Sequence, residues 1–85
     1  MKRDRLKIML TILSVCASGA RKTRVVYQAN LNFKRTNLYI DILMREGLLR
    51  VEERGKEKVY LTTDQGKQVL MGYNGFCEKF EKILK

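Results

Sequence analysis

Histidine is absent from this chain of 85 residues, and its two cysteines, Cys16 and Cys77, lie far apart and form no CxxC pair. A tetrahedral zinc site needs a cluster of thiolate and imidazole ligands, so we expect no metal site. Glycine-rich phosphate loops and paired buried carboxylates are also missing from the sequence pattern. Because no groups are assembled for acid–base or nucleophilic chemistry, we expect a protein that is not an enzyme and binds no cofactor or small-molecule ligand.

Long hydrophobic runs are also lacking, since none approaches the ~20 residues that a membrane-spanning helix needs. The N-terminal segment MKRDRLKIMLTILSV has a basic start and an apolar middle, as signal peptides do. Its removal would delete the best predicted core helix, and the small residues that follow lead directly into Arg21 and Lys22. We therefore predict a cytoplasmic protein without a targeting segment or a membrane partner.

Acidic residues are scarce in the first half of the chain. Residues 1–40 contain nine basic residues and one acidic residue, whereas residues 41–85 contain nine basic and eight acidic residues. The formal net charge of +9 therefore lies almost entirely in the first half. This asymmetry indicates a polyanion as partner. A basic protein with no nucleic-acid role is the alternative.

The spacing of apolar residues predicts three helices in that basic half, at residues 4–18, 23–30 and 33–46. Thr23 is a candidate N-cap of the second helix, and Asn32 is a candidate N-cap of the third. Tyr27 is expected to add an apolar contact to the second helix. The gap of about three residues between these two helices is typical of a helix-turn-helix.

The third predicted helix has an apolar side and a polar side. On a helical wheel, the apolar side contains Phe33, Thr36, Tyr39, Ile40, Leu43 and Met44. The polar side contains Lys34, Arg35, Asn37, Asp41 and Arg45. Leu38 and Ile42 fall among the polar residues, where they either contact thymine methyl groups or pack beneath the hairpin or the last helix.

The second half predicts a β-hairpin and a final helix. Residues 49–53 and 58–61 alternate in polarity, and residues 54–57 supply a turn with a glycine. The final helix begins near residues 62–65 and carries an a/d seam of apolar residues. We expect a homodimer interface on this helix, formed by Val69, Tyr73, Phe76, Cys77, Phe80, Ile83 and Leu84.

Helix, helix, helix, hairpin, helix is the order of a winged helix-turn-helix, so the predicted fold is mainly α with a small β-hairpin. We expect residues 1–66 to form the DNA-binding domain and residues 67–85 a continuous dimerisation helix. The third helix, with Lys34, Arg35 and Asn37, is then expected to enter the major groove. The remaining candidate DNA contacts are Arg21, Lys22, Thr23, Arg24 and Asn32, with Arg54, Lys56 and Lys58 in the wing at residues 54–58.

The segments KTRVVYQANLNFKRTNLYIDILMREGLL and VYLTTDQGKQVL resemble the small archaeal winged helix-turn-helix proteins of the ArnR-like type. The marks that carry the resemblance include Lys22-Thr23, Ala29-Asn30-Leu31 and Gly47-Leu48, within about residues 8–71. The resemblance implies an archaeal or archaeal-virus origin, DNA binding and a dimer formed through the last helix. The chain departs from the family pattern at Thr36, where an aliphatic residue is common, and at the glycines 72 and 75 of the last helix.

Double-stranded DNA is thus the expected partner of a dimeric transcriptional regulator. A general architectural or chromatin DNA-binding protein fits the same size and charge. A winged helix used as a protein–protein interaction module is the alternative from a different class, in which Leu38, Ile42 and the last helix would form the partner site.

Overall fold

The computed structural model describes the backbone of residues 5–84 and the side chains of residues 5–73. Within that range the elements follow the predicted order of three helices, a hairpin and a last helix. They are α1 (Arg5–Val15), which continues into a 3-10 turn (Cys16–Ser18), α2 (Lys22–Ala29), α3 (Phe33–Arg45), β1 (Leu49–Arg54), β2 (Glu57–Thr62) and α4 (Asp64–Leu84). The predicted winged-helix architecture is therefore confirmed.

The core lies where α1, α2, α3 and β2 meet. Its fully buried side chains include Ile12, Leu13, Val25, Ile40 and Leu43. Each such side chain stabilises the fold by roughly 1.5–3 kcal/mol relative to an exposed position. The apolar spacing of the first three helices is explained by this shared core.

Cys16 is part of the same core and is fully buried. Desolvation raises the pKa of its thiol to about 11, despite the opposing positive charge of Arg24. The thiol is therefore protonated at neutral pH, and Cys16 acts as a small apolar residue of the core.

The ends of α2 and α3 follow local sequence signals, with one correction. Asn32 accepts a hydrogen bond from the Arg35 backbone N–H at 2.8 Å and is the N-cap of α3, as predicted. Asn30 ends α2 in the left-handed conformation, with φ of 54°. The prediction that Thr23 caps α2 was wrong, because the helix begins at Lys22 and its N-cap is Arg21, which makes no side-chain capping bond.

The hairpin is antiparallel, and its register runs from Leu49 opposite Thr62 to Arg54 opposite Glu57. Its loop therefore has two residues, whereas the sequence predicted a four-residue turn. Gly55 is the first loop residue and has φ of 65°, a positive value that a two-residue hairpin loop requires. A further bridge joins Ala20 to Tyr60, through N–H···O bonds of 3.0 and 2.8 Å. This bridge fixes the hairpin beside the start of α2.

The start of α4 is held against the end of α3. The Thr63 hydroxyl donates to the Gly47 carbonyl oxygen at 2.7 Å and accepts from the Gly66 backbone N–H at 3.1 Å. A Cβ atom at Gly66 would collide with the Leu48 carbonyl oxygen and with Thr62 Cγ2, so only glycine fits there. None of the helices within residues 5–84 combines the length and apolar character needed to cross a bilayer.

Candidate nucleic-acid interface

Two of the three basic clusters predicted from the sequence meet in one open groove. The bridge between Ala20 and Tyr60 brings the first turn of α2 to the hairpin. The groove between them has a volume of about 480 Å³. Its polar lining consists of Ser18, Arg21, Thr23, Arg24, Arg54 and Glu57. Three guanidinium groups and two hydroxyl groups beside a helix N-terminus suit an anionic group such as a phosphate.

The hairpin arginines are partly neutralised by glutamates that the sequence analysis did not weigh. Arg21 Nη1 lies 3.0 Å from Glu57 Oε1. Glu52 Oε2 lies 3.2 Å from Arg50 Nη1 and 3.7 Å from Arg54 Nη2. All these groups are solvent-exposed, so each ion pair contributes only about 0–1 kcal/mol to stability. Their larger effect is to reduce the positive potential of the groove.

Lys22 is held differently from the other cations of this cluster. Its side chain is half-buried, and Nζ lies 5.8 Å from the centroid of the Tyr60 ring. This distance is within the range of a cation–π interaction. Lys22 therefore has a contact inside the fold, whereas Thr23 and Arg24 are exposed.

The candidate residues of α3 are exposed but point in different directions. The helix turns about 100° per residue, and its core side is defined by Thr36, Tyr39, Ile40 and Leu43. Lys34 lies opposite this core side, whereas Arg35 and Asn37 lie on the two flanks. On its flank, Arg35 lines a small groove with Arg5 and Met9 of α1. Among the side chains of residues 5–73, none of the ion pairs includes Lys34 or Arg35.

The remaining candidate DNA contacts are Asn32, before α3, and Lys56 and Lys58, in the hairpin. The Asn32 side-chain oxygen is engaged in the cap of α3. Lys56 is the second loop residue and is exposed, and Lys58 is exposed directly opposite Glu53. The hairpin tip thus presents one lysine without a cross-strand acid.

Two aromatic residues that were expected to make apolar contacts are largely exposed. Tyr27 is 87% exposed and lies one helical turn after Thr23 on the outer face of α2. Phe33, the first residue of α3, is 53% exposed. A helical wheel of α2 drawn from its buried residues Val25 and Ala29 places Tyr27 on the outer side, and this was the signal that the sequence analysis missed.

Leu38 and Ile42 lie beside an element that the sequence analysis did not name as their neighbour. They line the small groove beside α1, together with Arg5, Met9, Arg35 and Tyr39. Ile42 is half-buried there, and Leu38 is 56% exposed. Leu38 is therefore accessible to a partner of α3.

Two residues of the predicted dimer interface, Val69 and Tyr73, have described side chains, and they differ in exposure. Val69 is 44% exposed. Tyr73 is half-buried and lines a groove with Leu10 and Val15 of α1. The other predicted interface residues have side chains that lie outside the described residues, namely Phe76, Cys77, Phe80, Ile83 and Leu84. The helix that carries them extends to Leu84.

Acidic and thiol side chains do not assemble into a metal-binding group anywhere in the described residues. Thr36 Oγ1 is buried and has no hydrogen-bond partner among the described residues. It lies on the core side of α3.

Known proteins share this architecture. A family model described as winged helix-turn-helix matches residues 2–81. An uncharacterized protein of Methanocaldococcus jannaschii is 35% identical over 81 residues, which cover 94% of this chain and 76% of that protein.

Solved structures of DNA-binding proteins also share this fold. Sso10a-2, a DNA-binding protein from Sulfolobus solfataricus, superposes with a TM-score of 0.81 at 29% identity, over 96% of this chain and 86% of that chain. Mb0332 from Mycobacterium bovis, a homodimeric winged helix-turn-helix DNA-binding domain, superposes with a TM-score of 0.80 at 12% identity, over 92% of this chain and 74% of that chain. The second likeness is one of fold alone.

Proposed function

The chain belongs to the winged helix-turn-helix family, and from this membership we propose that it is a homodimeric protein that binds double-stranded DNA and regulates transcription. In this proposal α3 enters the major groove, and the first turn of α2 contacts the DNA backbone. The hairpin contacts the backbone or the minor groove. The catalytic alternative has no support in the residues.

The observation that carries the proposal is the groove between α2 and the hairpin. Arg21, Arg24 and Arg54 come from two separate elements and line the same open groove. Converging cations repel one another, and Glu57 and Glu52 neutralise Arg21 and Arg54 only in part. A bound phosphate would compensate the charge that remains.

The likeness to Sso10a-2 also supports DNA as the partner. Sso10a-2 is a DNA-binding protein, and its likeness covers 96% of this chain. The exposed cations of α3 and the exposed Lys56 of the loop supply further phosphate contacts. We place the protein with DNA in the cytoplasm, and the narrower assignment to the ArnR-like type is part of this proposal.

Dimerisation through α4 is proposed from the apolar seam and from the length of the helix. α4 has 21 residues and α1 has 11, so α1 is shorter than α4 by about 15 Å along the helix axis. The a/d spacing from Val69 to Ile83 is that of a helix pair. Two copies joined there would carry two α3 helices to one duplex, as half-site recognition requires. In this proposal, residues 1–66 form the DNA-binding domain, and residues 67–85 form a dimerisation helix that is continuous with it.

DNA binding is tested by fluorescence anisotropy of the full chain with a labelled random-sequence duplex across a salt series. Each neutralised phosphate contributes about −0.9 to the slope of log K against log salt, so we expect a slope equivalent to several contacts. An absence of binding at low salt would overturn the proposal in favour of a protein-interaction module. If binding is salt-dependent but a selection from random sequences yields no preferred site, a general architectural DNA-binding protein would be favoured over a transcriptional regulator.

The dimer is tested with Phe80→Asp, which places a charge in the predicted seam. The expected result is a monomer mass in sedimentation equilibrium. Met71→Asp is the matched control, because Met71 is 71% exposed and lies off the seam. A dimer that persists in Phe80→Asp would show that the interface lies elsewhere.

A further inference from the structure

The side of α3 that faces away from the core carries mixed chemistry. Lys34, Leu38, Asp41 and Arg45 follow one another at steps of four, three and four residues and are all exposed. At about 100° per residue these four residues fall within a sector of about 60°, directly opposite the buried side. We call them the outward stripe. Its two ends are basic, and its middle is apolar and acidic.

Leu38 contributes nothing to the binding of phosphates. Its side chain borders the groove that Ile42 also lines, but it is 56% exposed, whereas Ile42 is half-buried. In the major groove the 5-methyl group of thymine is the apolar feature that a leucine can contact. The burial of one methyl-sized group in such a contact stabilises the complex by about 0.8 kcal/mol.

Asp41 makes binding to DNA in general weaker, because its carboxylate repels phosphates. None of the ion pairs among the described residues includes Asp41, so its charge is not compensated there. A carboxylate in the major groove is favourable where it meets a hydrogen-bond donor, and the 4-amino group of cytosine is one. The amino group of adenine is less suitable, because the N7 acceptor beside it repels a carboxylate.

The spacing of the two residues fits neighbouring bases. Leu38 and Asp41 are three residues apart, which is about 4.5 Å along the helix axis. Successive base pairs are about 3.4 Å apart. Lys34 and Arg45 flank them at the ends of the stripe, where they face the phosphates that border the groove.

We propose that Leu38 and Asp41 determine the base preference of α3, Leu38 by contacting the 5-methyl group of a thymine and Asp41 by accepting a hydrogen bond from the 4-amino group of a neighbouring cytosine. This inference rests on the proposed DNA binding and adds the bases that are recognised. Arg35 and Asn37, on the flanks of α3, then position the helix by contacts to the backbone or to outer bases.

The thymine contact is tested with a duplex that the full-length protein selects from a random-sequence library. Each thymine is replaced in turn by deoxyuridine, which lacks only the methyl group. For the wild-type protein we expect affinity to fall about fourfold at one position. Leu38→Ala should bind the thymine and deoxyuridine duplexes equally, whereas the control Met71→Ala, which also removes an exposed apolar side chain, should retain the fourfold difference.

The cytosine contact is tested with Asp41→Ala, because asparagine would keep an oxygen that accepts the hydrogen bond. We expect this variant to bind random duplex about two- to fivefold more tightly, as is typical of a lost exposed charge interaction, and to lose the preference for cytosine beside the thymine. Glu46→Ala removes the same charge at the end of α3 and should leave the base preference unchanged.

The outcomes separate this inference from the proposed function. Salt-dependent binding with equal affinity for every thymine and deoxyuridine duplex would leave DNA binding intact and overturn the role of Leu38. Retention of the cytosine preference by Asp41→Ala would overturn the role of Asp41. Failure to bind any duplex at low salt would overturn the proposed function itself, and the stripe would then be a surface for a protein partner.

Discussion

The third helix and the hairpin both carry several basic residues, but they hold their polar groups in opposite ways. In the hairpin, Arg50 and Arg54 share the carboxylate of Glu52, and Glu57 pairs with Arg21 of α2. On α3, Lys34 and Arg35 take part in none of the ion pairs of the described residues. Formal charge alone does not distinguish these two surfaces.

The same contrast holds in the core, where each region contributes one buried threonine. The Thr62 hydroxyl of β2 donates to the Leu13 carbonyl oxygen at 2.6 Å. The Thr36 hydroxyl of α3 is fully buried and has no hydrogen-bond partner among the described residues. In the hairpin, Glu57 and Thr62 thus join elements of the fold, whereas the side chains of Lys34 and Arg35 on α3 form none of the described ion pairs. An exposed unpaired cation is available to a ligand, but a buried unpaired hydroxyl only costs stability.

The largest expected difference between α3 and the hairpin is in their contributions to DNA affinity. In Lys34→Ala/Arg35→Ala, two unpaired cations are lost, so we expect the salt slope to fall by about 1.8 and affinity at ~0.1 M salt to fall roughly 60-fold. The measurement is anisotropy with a random-sequence duplex. Both side chains are exposed and alanine favours a helix, so circular dichroism should confirm an unchanged fold.

The matched control is Arg54→Ala/Lys56→Ala, which removes two charges from the hairpin. Arg54 must leave Glu52 before it can bind a phosphate, so its contact replaces an existing one. We expect the slope to fall by less than about 1 in this variant. Equal losses in the two double variants would show that ion pairing does not separate the two surfaces.

The buried threonines should respond in opposite directions to the same substitution. Thr62→Val removes the hydrogen bond to Leu13 and should lower the free energy of unfolding by about 1–2 kcal/mol. In a chain of this size, that lowers Tm by roughly 4–8 °C per kcal/mol. Thermal unfolding by circular dichroism measures this, at one fixed protein concentration because a dimer is stabilised by mass action.

Thr36→Val is the counterpart and should raise the free energy of unfolding by about 1 kcal/mol, because it removes a buried hydroxyl without a partner. Valine has nearly the same shape, so the packing around Ile40 and Leu43 is kept. A loss of stability in both variants would mean that the Thr36 hydroxyl has a hydrogen-bond partner in solution.

The order of elements could be predicted from the sequence, because apolar spacing, the Asn32 cap and the hairpin glycine are local signals. The pairing of the hairpin charges could not. The pair between Arg54 and Glu52 requires Arg54 to lie in β1, two residues beyond Glu52, whereas the sequence placed Arg54 in a four-residue turn. The contact between Arg21 and Glu57 further requires the bridge from Ala20 to Tyr60, a tertiary feature with no local signal.

The candidate site shows the same division between local and tertiary information. The exposed state of Lys34 follows from the helical period alone. The exposure of Tyr27 follows from the wheel of α2 only once Val25 and Ala29 are known to be its buried residues, which depends on the tertiary packing. Whether these residues contact DNA stays a prediction, and the variants described above test the part played by α3.

The smallest expected effect is the most direct test of the hairpin ion pairs. Glu57→Gln removes the carboxylate that lies 3.0 Å from Arg21 and leaves the guanidinium free in the groove that also contains Arg24 and Arg54. We expect affinity for random duplex to rise about two- to fivefold, the range that an exposed ion pair allows. Glu53→Gln removes the same charge from the hairpin, but none of the ion pairs among the described residues includes Glu53. The excess of the first effect over the second therefore measures the release of Arg21, and equal effects would mean that Glu57 acts only through the net charge.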